Sequence, residues 1–236
     1  MRDEVYRQAQ DQIVDFAFTA EVAAVFPDMI RRSVPGYETL VPVTGLIAAR
    51  HLGDAGVAYD LGCSLGASTL AILQQNSSPQ VRVVGVDNAA AMISGARDAI
   101  TDPRAEFVLT DLRDVDVTGA KVVVLNLVLQ FLEVADRLTV LQNLRAQMAK
   151  DGLLIVSEKV AQADPWLHQI YDDHHLAWKQ ANGYSELEVA QKRSALENVM
   201  RVDTEQSHHE RFRAAGFDRS VQWYRCMNWA SFLVFC

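Results

Sequence analysis

The sequence predicts an α/β fold in which a largely parallel sheet carries helices on both faces and ends in an antiparallel hairpin. Three observations support this prediction. Short apolar segments alternate with helix-like segments between residues 57 and 158, residues 160–215 read as helices, and two further apolar segments follow at 219–226 and 228–236. Strands and helices that alternate at this spacing form right-handed βαβ units, and therefore a parallel sheet.

Residues 1–50 are expected to form a helical cover. Apolar positions recur at helical spacing from 22 to 30, the motif Ser33-Val-Pro-Gly36 breaks the pattern, and a second helical run continues through Leu40, Val43 and Ile47. The cover therefore consists of helix on both sides of a turn.

The strands of the parallel part are expected at 57–62, 81–87, 105–111, 121–126 and 152–158. Helices are expected between them, and the last one places five apolar residues on one face: Val134, Leu138, Leu141, Leu144 and Met148. The two final segments are too close in the chain for a helical crossover, so they should pair as a hairpin. This order is that of a Rossmann-like class I methyltransferase fold with a seven-stranded sheet, in one domain over 1–236 with a helical insertion at 160–215.

The composition excludes several classes of protein. The 236 residues are 50% hydrophobic and 22% charged, which is ordinary for a globular domain and unlike collagenous or disordered chains. With 22 Lys and Arg against 30 Asp and Glu, the net charge of −8 argues against direct nucleic-acid binding. The apolar stretch 122–132 is too short to span a membrane and the N-terminus does not resemble a signal peptide, so we expect a cytoplasmic protein.

Cysteine and histidine usage gives no reason to expect a metal. Cys63, Cys226 and Cys236 have neither the spacing of a disulfide framework nor that of a zinc site. The pairs His174-His175 and His208-His209 favour solvated or packing roles, because neighbouring residues on a helix point about 100° apart. A small-molecule ligand is the expectation.

Polar residues at the ends of four strands predict where that ligand binds. Asp60-Leu-Gly-Cys-Ser-Leu-Gly66 lacks the G-x-G-x-x-G spacing that holds a pyrophosphate, and its acid suits an ammonium group such as that of S-adenosylmethionine. Asp87 can accept both hydroxyls of a ribose, although a strand-end Asp is also a common helix cap. Asp111 suits an adenine amino group, and Asn126 ends the fourth strand. Together these residues favour S-adenosylmethionine over independent caps.

The insertion contains an arginine among apolar residues. Ser185-Glu-Leu-Glu188 has the pattern of a capping box, so a helix should begin at 186. On that helix Arg193 falls between Val189 and Leu196 in the apolar stripe. The residue either extends from the edge of the stripe into solvent or faces an anion in a pocket or interface.

Four segments resemble those of bacterial carboxy-S-adenosyl-L-methionine synthases, and the resemblance runs from about residue 15 to the end of the chain. They are VFPDMIRRSVPGY (25–37), YDLGCSLGAST (59–69), VVLNLVLQFLE (123–133) and ANGYSELEVAQKRSALENVM (181–200). The last is the most specific, because generic methyltransferases lack it. Small differences occur at Leu127-Val128, where the family commonly has Phe-Thr, and at Met227-Asn228-Trp229-Ala230-Ser231, where it more usually has Phe-Asn-Phe-Gly-Ser.

The resemblance implies an enzyme that converts S-adenosylmethionine and prephenate to carboxy-S-adenosylmethionine and phenylpyruvate. The product would serve a separate enzyme that carboxymethylates the wobble uridine of tRNA. The ligand pocket is implied to include Tyr37, Gly62, Cys63, Ser64, Asp87, Asn88, Asp111, Leu112 and Asn126. Arg193 is implied to reach across a homodimer interface to the added carboxylate of the partner's ligand. The alternatives are a small-molecule methyltransferase and a non-catalytic S-adenosylmethionine-binding module.

The chemistry implied by the resemblance names no general base. The sulfonium methyl loses a proton, the resulting ylide captures the carbon dioxide that prephenate releases on becoming aromatic, and the departing hydroxide takes the proton. Residues that meet prephenate cannot be assigned from spacing. The candidates are Arg31, Arg32, Tyr184 and His175.

Overall fold

The computed structural model describes residues 1–9 and 14–236. Two helices, α1 (Ala20–Ser33) and α2 (Tyr37–Leu52), form the N-terminal cover. The prediction of a break at 33–36 is confirmed: α1 ends at Ser33, and Gly36 precedes α2 with a φ of 77°.

The prediction of helix throughout 1–50 is wrong outside these two helices. Residues 1–9 form turns and irregular chain, residues 14–19 have no regular structure, and residues 10–13 lie outside the described residues. Thr19 explains where α1 begins, because its side chain accepts a hydrogen bond from the backbone N–H of Val22.

The sheet confirms the seven predicted strands and adds a short one. The strands are β1 (Gly56–Leu61), β2 (Val81–Asp87), β3 (Ala105–Leu109), β4 (Val122–Asn126), β5 (Leu153–Ala161), β6 (Asp203–Thr204), β7 (Arg219–Cys226) and β8 (Trp229–Phe235). Their order is β3-β2-β1-β4-β5-β8-β7, with β6 beside β5. The first five strands pair in parallel, and β7 and β8 form the expected antiparallel hairpin.

The remaining helices cover the sheet and build the insertion. They are α3 (Ala67–Gln75), α4 (Ala90–Ala99), α5 (Val134–Gln147), α6 (Pro165–Ala181), α7 (Glu186–Glu197) and α8 (Glu205–Ala214), with a 3₁₀ turn at Leu129–Phe131. The expected start of α7 is confirmed, since Ser185 and Glu188 form a capping box. No helix in the described part of the chain has both the length and the apolar character that crossing a bilayer requires.

Both faces of the sheet are buried, as expected for parallel strands between two layers of helices. The side chains of β4 from Val122 to Leu125 are all inaccessible to solvent. One apolar cluster packs α5 and α8 against the sheet, and the other packs α2, α3 and α4 against the opposite face. Burial of this kind contributes roughly 25 cal/mol for each Å² of apolar surface removed from water.

The predicted apolar face of α5 requires a correction. Val134 is 49% exposed. Arg137 is fully buried and lies on the same face of α5 as Val140 and Leu141. Arg137 is buried because it has partners: its guanidinium donates to the carbonyl of Leu132 at 3.0 Å and to Asp203 Oδ2 at 2.5 Å. This arginine therefore joins α5 to the end of the insertion.

Candidate active site

A cavity of about 1110 Å³ opens at the carboxyl ends of the parallel strands. The cavity lies at the boundary between β1 and β4, which are neighbours in the sheet although β2 and β3 separate them in the chain. Doubly wound sheets bind their ligands at this point, where the strand order reverses. All of the predicted site residues line it: Tyr37, Gly62, Cys63, Ser64, Asp87, Asn88, Asp111, Leu112, Asn126 and Arg193. The structure thus brings them together, while their contacts with a ligand stay predictions.

The turn after β1 is held close to its neighbours. The amides of Gly62 and Cys63 both donate to the carbonyl of Val86, at 2.7 and 2.9 Å. Gly62 has a φ of 73°, and a Cβ at this position would lie 2.6 Å from a methyl group of Val128. Only glycine combines this backbone conformation with such a close approach.

Asp60 holds the helix that follows this turn. Its Oδ2 accepts hydrogen bonds from the backbone N–H of Thr69 at 2.9 Å and from the Thr69 hydroxyl at 2.8 Å. Burial raises the pKa of Asp60 to about 6, while the Thr69 donors oppose that rise. The carboxylate expected to meet an ammonium group is therefore engaged through one oxygen in fixing α3, although the residue does line the cavity.

Asp87 shapes the loop at the end of β2. Its Oδ2 accepts from the backbone N–H of Ser64 at 2.9 Å, and its Oδ1 accepts from that of Ala89, also at 2.9 Å. Burial raises the pKa of this carboxyl, and the backbone donors oppose the rise. Since α4 begins at Ala90, the Asp87 side chain binds the loop before the helix and not the amides of its first turn.

Asp111 is paired with an arginine of its own loop. The backbone N–H, Nε and Nη2 of Arg113 all lie 2.9 Å from its carboxylate oxygens. The arginine lowers the pKa of Asp111 to about 2, with a smaller contribution from the Asn88 side chain. The carboxylate stays ionised at neutral pH and is oriented beside Leu112, also in the cavity wall.

A chain of hydrogen bonds fixes the amide of Asn126. Nδ2 donates to Ser68 Oγ at 2.8 Å, and Oδ1 accepts from Ser157 Oγ at 2.6 Å. Ser157 is in turn 2.8 Å from Ser231 Oγ on β8. Leu127 follows with a φ of 63°, a left-handed conformation that is uncommon for a residue with a side chain and is found mainly where the surrounding structure enforces it.

Glu158 holds the loop after β4, and the sequence reasoning did not identify it. Its buried carboxylate accepts from the backbone amides of Val128, Leu129 and Gln130 at 2.8 to 3.0 Å. Burial raises the pKa of Glu158 to about 8, and the three amides oppose that rise. The available signal was a glutamate inside β5, two residues after the apolar run that ends at Val156.

The opposite wall, formed by α1, α6 and α7 with the end of β5, contains a group of cations. These are Arg31, Lys159, Lys179, Lys192 and Arg193. The three lysines were not identified from the sequence, because they lie on separate elements and match no motif. Arg193 lies exposed at the edge of the apolar stripe, and it has no ion pair or hydrogen bond with the described residues.

The candidates for binding prephenate separate into two pairs. His175 and Arg31 line the cavity. Arg32 and Tyr184 do not belong to its lining: the Arg32 guanidinium donates to the Asn182 carbonyl at 2.7 Å and to Asp28, and the Tyr184 hydroxyl binds Asp3. These two side chains instead attach the N-terminal segment to the insertion.

Three residues at which the chain departs from the family pattern, Leu127, Val128 and Trp229, line the cavity. Val128 packs against Gly62, as described above. The Trp229 ring meets the His175 ring edge to face, with centroids 4.5 Å apart. Over residues 1–9 and 14–236, no cluster of three or more His, Cys, Asp and Glu side chains could hold a metal ion.

Comparisons with known proteins identify the fold and the family. A model described as a methyltransferase domain matches residues 58–152. An O-methyltransferase family protein from Burkholderia thailandensis has a TM-score of 0.70 at 18% identity, over 98% of this chain and 66% of that one. Human N-acetylserotonin methyltransferase, solved in complex with SAM, has a TM-score of 0.63 at 14% identity, over 92% and 55%. At such identities these structures establish the fold alone.

Sequence relatives match over far more of their length. The carboxy-S-adenosyl-L-methionine synthase of Geobacter metallireducens is 44% identical over 234 residues, which cover 97% of this chain and 96% of that protein. That of Pseudomonas paraeruginosa is 45% identical over 239 residues, covering 98% and 95%. The similarity spans the strand ends, the insertion and the terminal hairpin, so the chain belongs to the carboxy-S-adenosyl-L-methionine synthase family.

Proposed function

We propose that this chain converts S-adenosylmethionine and prephenate to carboxy-S-adenosylmethionine and phenylpyruvate. The observation that carries the proposal is the position of Arg193, an unpaired guanidinium lining the same cavity as the polar strand ends. A methyltransferase leaves the sulfonium methyl open to a nucleophile. A carboxylated product adds an anion beside the sulfonium, and that anion needs a cationic partner.

The residues at the strand ends fit S-adenosylmethionine. The cavity volume of about 1110 Å³ slightly exceeds the usual range for a site that holds one small molecule, which agrees with a site for two substrates. Asp87 is ordered by two backbone amides and retains acceptor capacity for ribose hydroxyls. Asp111 and Asn126 carry oriented polar groups at neighbouring strand ends. S-adenosylmethionine supplies the methyl carbon that becomes carboxylated.

Arg193 is proposed to bind the added carboxylate. A guanidinium binds a carboxylate through two parallel hydrogen bonds, and a hydrogen bond to a charged group contributes roughly 1.5 to 3 kcal/mol. In the described chain Arg193 lines the cavity of its own subunit. We retain the proposal that the protein is a homodimer in which this arginine serves the partner's ligand, because the exposed Arg193 is available to either site.

The reaction balances without a cofactor other than the two substrates. The sulfonium methyl loses a C–H bond and gains a C–C bond to the carboxyl carbon that leaves prephenate. Loss of that carboxyl and of the ring hydroxyl makes the ring aromatic, and the hydroxide leaves with the methyl proton as water. The chain's contribution is to orient both substrates and to limit the access of bulk water, a role that we assign to α1, α6 and α7 because residues of these helices line the cavity opposite the strand ends.

The biological setting that we propose is tRNA modification at a distance. The product would diffuse to a separate enzyme that carboxymethylates wobble uridine, so this chain need not touch tRNA. Its net charge of −8 supports that proposal, because binding to phosphates requires a basic surface. A cytoplasmic location agrees with this role.

Mass spectrometry tests the proposed reaction. Purified protein incubated with S-adenosylmethionine and prephenate should yield a nucleoside heavier than S-adenosylmethionine by one carbon dioxide, together with equimolar phenylpyruvate. Arg193→Ala should lose retention of the carboxylated product by at least about tenfold while S-adenosylmethionine binding changes little. Unchanged S-adenosylmethionine from the wild-type chain, with prephenate intact, would disprove the assignment.

A mixing experiment tests whether Arg193 acts across a dimer. Arg193→Ala and Asp87→Ala are each expected to be nearly inactive. If the arginine serves the partner's site, each mixed dimer contains one site free of both changes. In an equimolar mixture half of the dimers are mixed, so about a quarter of all sites are intact. Mixing should then restore about a quarter of the wild-type rate. If mixing restores no activity while the subunits exchange, Arg193 serves its own subunit.

A further inference from the structure

Lys179 on α6 is buried in the cavity wall without a partner. The residue is 6% exposed, and its side chain makes no hydrogen bond or ion pair with any residue that the structure describes. Buried charges in folded proteins are almost always paired, since an unpaired ammonium removed from water costs several kcal/mol. Lys179 is therefore an exception that requires an explanation.

The charges around Lys179 are mostly positive. Lys159 on β5 is paired with Asp172 of α6 at 3.3 Å, and Lys192 on α7 binds Ser33 Oγ at 2.9 Å and Asp3 at 3.6 Å. Arg193 on α7 is unpaired. Burial, followed by these three cations, lowers the pKa of Lys179 to about 7, and Asp172 opposes the effect. The two unpaired cations thus lack a counter-ion in the protein itself.

His175, one turn before Lys179 on α6, adds no charge. Its Nε2 lies 2.8 Å from the carbonyl oxygen of Ser33, and because a carbonyl only accepts, Nε2 carries the proton. Burial, with the nearby lysines, lowers the pKa of His175 to about 2, so the ring is neutral. The wall therefore presents a neutral imidazole beside unpaired cations.

The two walls of the cavity divide its charge. The strand ends contribute Asp60 and Asp87, which repel an anion, and Asp111, whose charge is balanced by Arg113. The unpaired cations lie on α6 and α7, where the acids of the lining are Asp172, which is paired with Lys159, and Glu197. A dianionic substrate in this cavity is therefore attracted to the helical wall. A carboxylate there would supply the partner that Lys179 lacks.

We propose that Lys179 binds a carboxylate of the second substrate, a small dicarboxylate, and thereby positions it against the strand-end ligand. This inference rests on the proposed function, because the dicarboxylate is the carboxyl donor of that reaction. It assigns Lys179 to the donor and leaves Arg193 to the product carboxylate. The two cations then have separate anions.

Steady-state kinetics of Lys179→Met test the assignment. The KM for prephenate should rise by about 30-fold, because a charge-assisted hydrogen bond is lost, while the dissociation constant for S-adenosylmethionine stays within about twofold. Lys179→Arg should retain most of the affinity. Lys150→Met, an exposed lysine outside the cavity wall, is the control and should match the wild type. An unchanged KM in Lys179→Met overturns the proposal.

Thermal unfolding distinguishes a ligand-binding lysine from a structural one. Replacing an unpaired buried ammonium by methionine should raise the Tm of the ligand-free protein by about 2 to 4 °C, whereas removing a structural contact would lower it. Prephenate should then raise the Tm of the wild type and of Lys150→Met, but much less that of Lys179→Met. A lower Tm of Lys179→Met together with an unimpaired response to prephenate would contradict a binding role.

The pH dependence of KM is a further readout. As pH rises through about 7 the free lysine loses its charge, so the KM of the wild type for prephenate should increase. Lys179→Arg keeps its charge, so its KM should change less between pH 6.5 and 8.5. The wild type and Lys179→Arg both contain Lys192, so any effect of that lysine on KM is common to the two profiles. Parallel profiles for the wild type and Lys179→Arg would count against the assignment.

Calorimetric titration with prephenate separates failure of this inference from failure of the proposed function. If the wild type binds prephenate through Lys179 and forms no carboxylated product, the proposed reaction is wrong and the binding assignment stands. If the product forms and Lys179→Met binds prephenate as the wild type does, the reaction stands and the assignment fails.

Discussion

The strand-end wall and the helical wall of the cavity differ in how their polar groups are held. At the strand ends, Asp60, Asp87, Asp111 and Asn126 each have hydrogen-bond partners within the protein. On the helical wall Lys179 and Arg193 have no partner among the described residues. The polar groups of the first wall are held by the protein itself, whereas the second wall has unpaired cations for which we propose an anionic ligand.

This difference indicates a division of labour. Groups fixed by backbone amides and neighbouring side chains lose little entropy on binding, which favours one orientation of a nucleoside. Unpaired cations destabilise the empty protein and are neutralised by an anion, which favours retention of charged substrates. Functional sites of enzymes commonly contain groups that lower the stability of the ligand-free protein.

Arg137→Met is expected to have the largest effect, because this buried residue joins α5 and the loop after β4 to the end of the insertion. Removing a buried charge that binds Asp203 and several carbonyls should lower the free energy of unfolding by about 3 to 5 kcal/mol. Chemical denaturation measures this loss. Hydrogen exchange should show it to be concentrated in residues 200–214, leaving β1 and β2 protected.

The exposed pair of Arg82 and Glu106 provides the control. Both side chains are more than half exposed, so Arg82→Met should cost less than about 1 kcal/mol. Equal losses in the two variants would show that the buried Arg137 contributes no more to stability than an exposed ion pair does.

Gly62→Ala should damage the strand-end wall selectively. The new Cβ collides with Val128, and the left-handed backbone is strained for alanine. Together these effects cost about 2 to 4 kcal/mol in the geometry that binds the ligand. The affinity for S-adenosylmethionine should therefore fall by roughly 30-fold or more. Calorimetry measures the change. Adding Val128→Ala removes the collision but not the strain and should recover part of the affinity; no recovery would mean that the close approach is unimportant.

A pH series of Lys179→Met against the wild type should give the smallest effect. Below pH 7 the folded wild type buries a charged Lys179, so the variant should be more stable, by about 1 kcal/mol or more. Above that pH the folded protein releases the proton while the unfolded chain keeps it up to about 10.5, so wild-type stability rises and the difference shrinks. Thermal unfolding from pH 6 to 9.5 measures the difference, and a constant offset would contradict the assigned pKa.

The strand-end wall was predictable because a parallel sheet brings the carboxyl ends of its strands to one edge. Gly62, Asp87, Asp111 and Asn126 follow apolar runs in the sequence, and the fold alone then places them together. The sequence could not show which of their oxygen atoms already accept hydrogen bonds from the protein. Asp60 binds Thr69, and Asp111 binds Arg113, through contacts that depend on loop geometry.

The helical wall was mostly hidden in the sequence. Lys159, Lys179 and Lys192 belong to one strand and two helices, and nothing in their spacing distinguishes them from exposed lysines. Arg193 was identifiable because an apolar stripe surrounds it on a single helix. Arg32 and Tyr184 fell in a segment typical of the family, yet their side chains bind the N-terminal segment and do not line the cavity.

The sequence by itself determined the order of strands and helices, the turn chemistry and the family, because these depend on local periodicity and motifs. Tertiary structure alone decided which charges are paired. Pairing depends on distances of a few ångströms between residues far apart in the chain, such as Asp3 with Lys192 or Arg137 with Asp203. The same dependence leaves Lys179 and Arg193 without protein partners and gives the cavity its two walls.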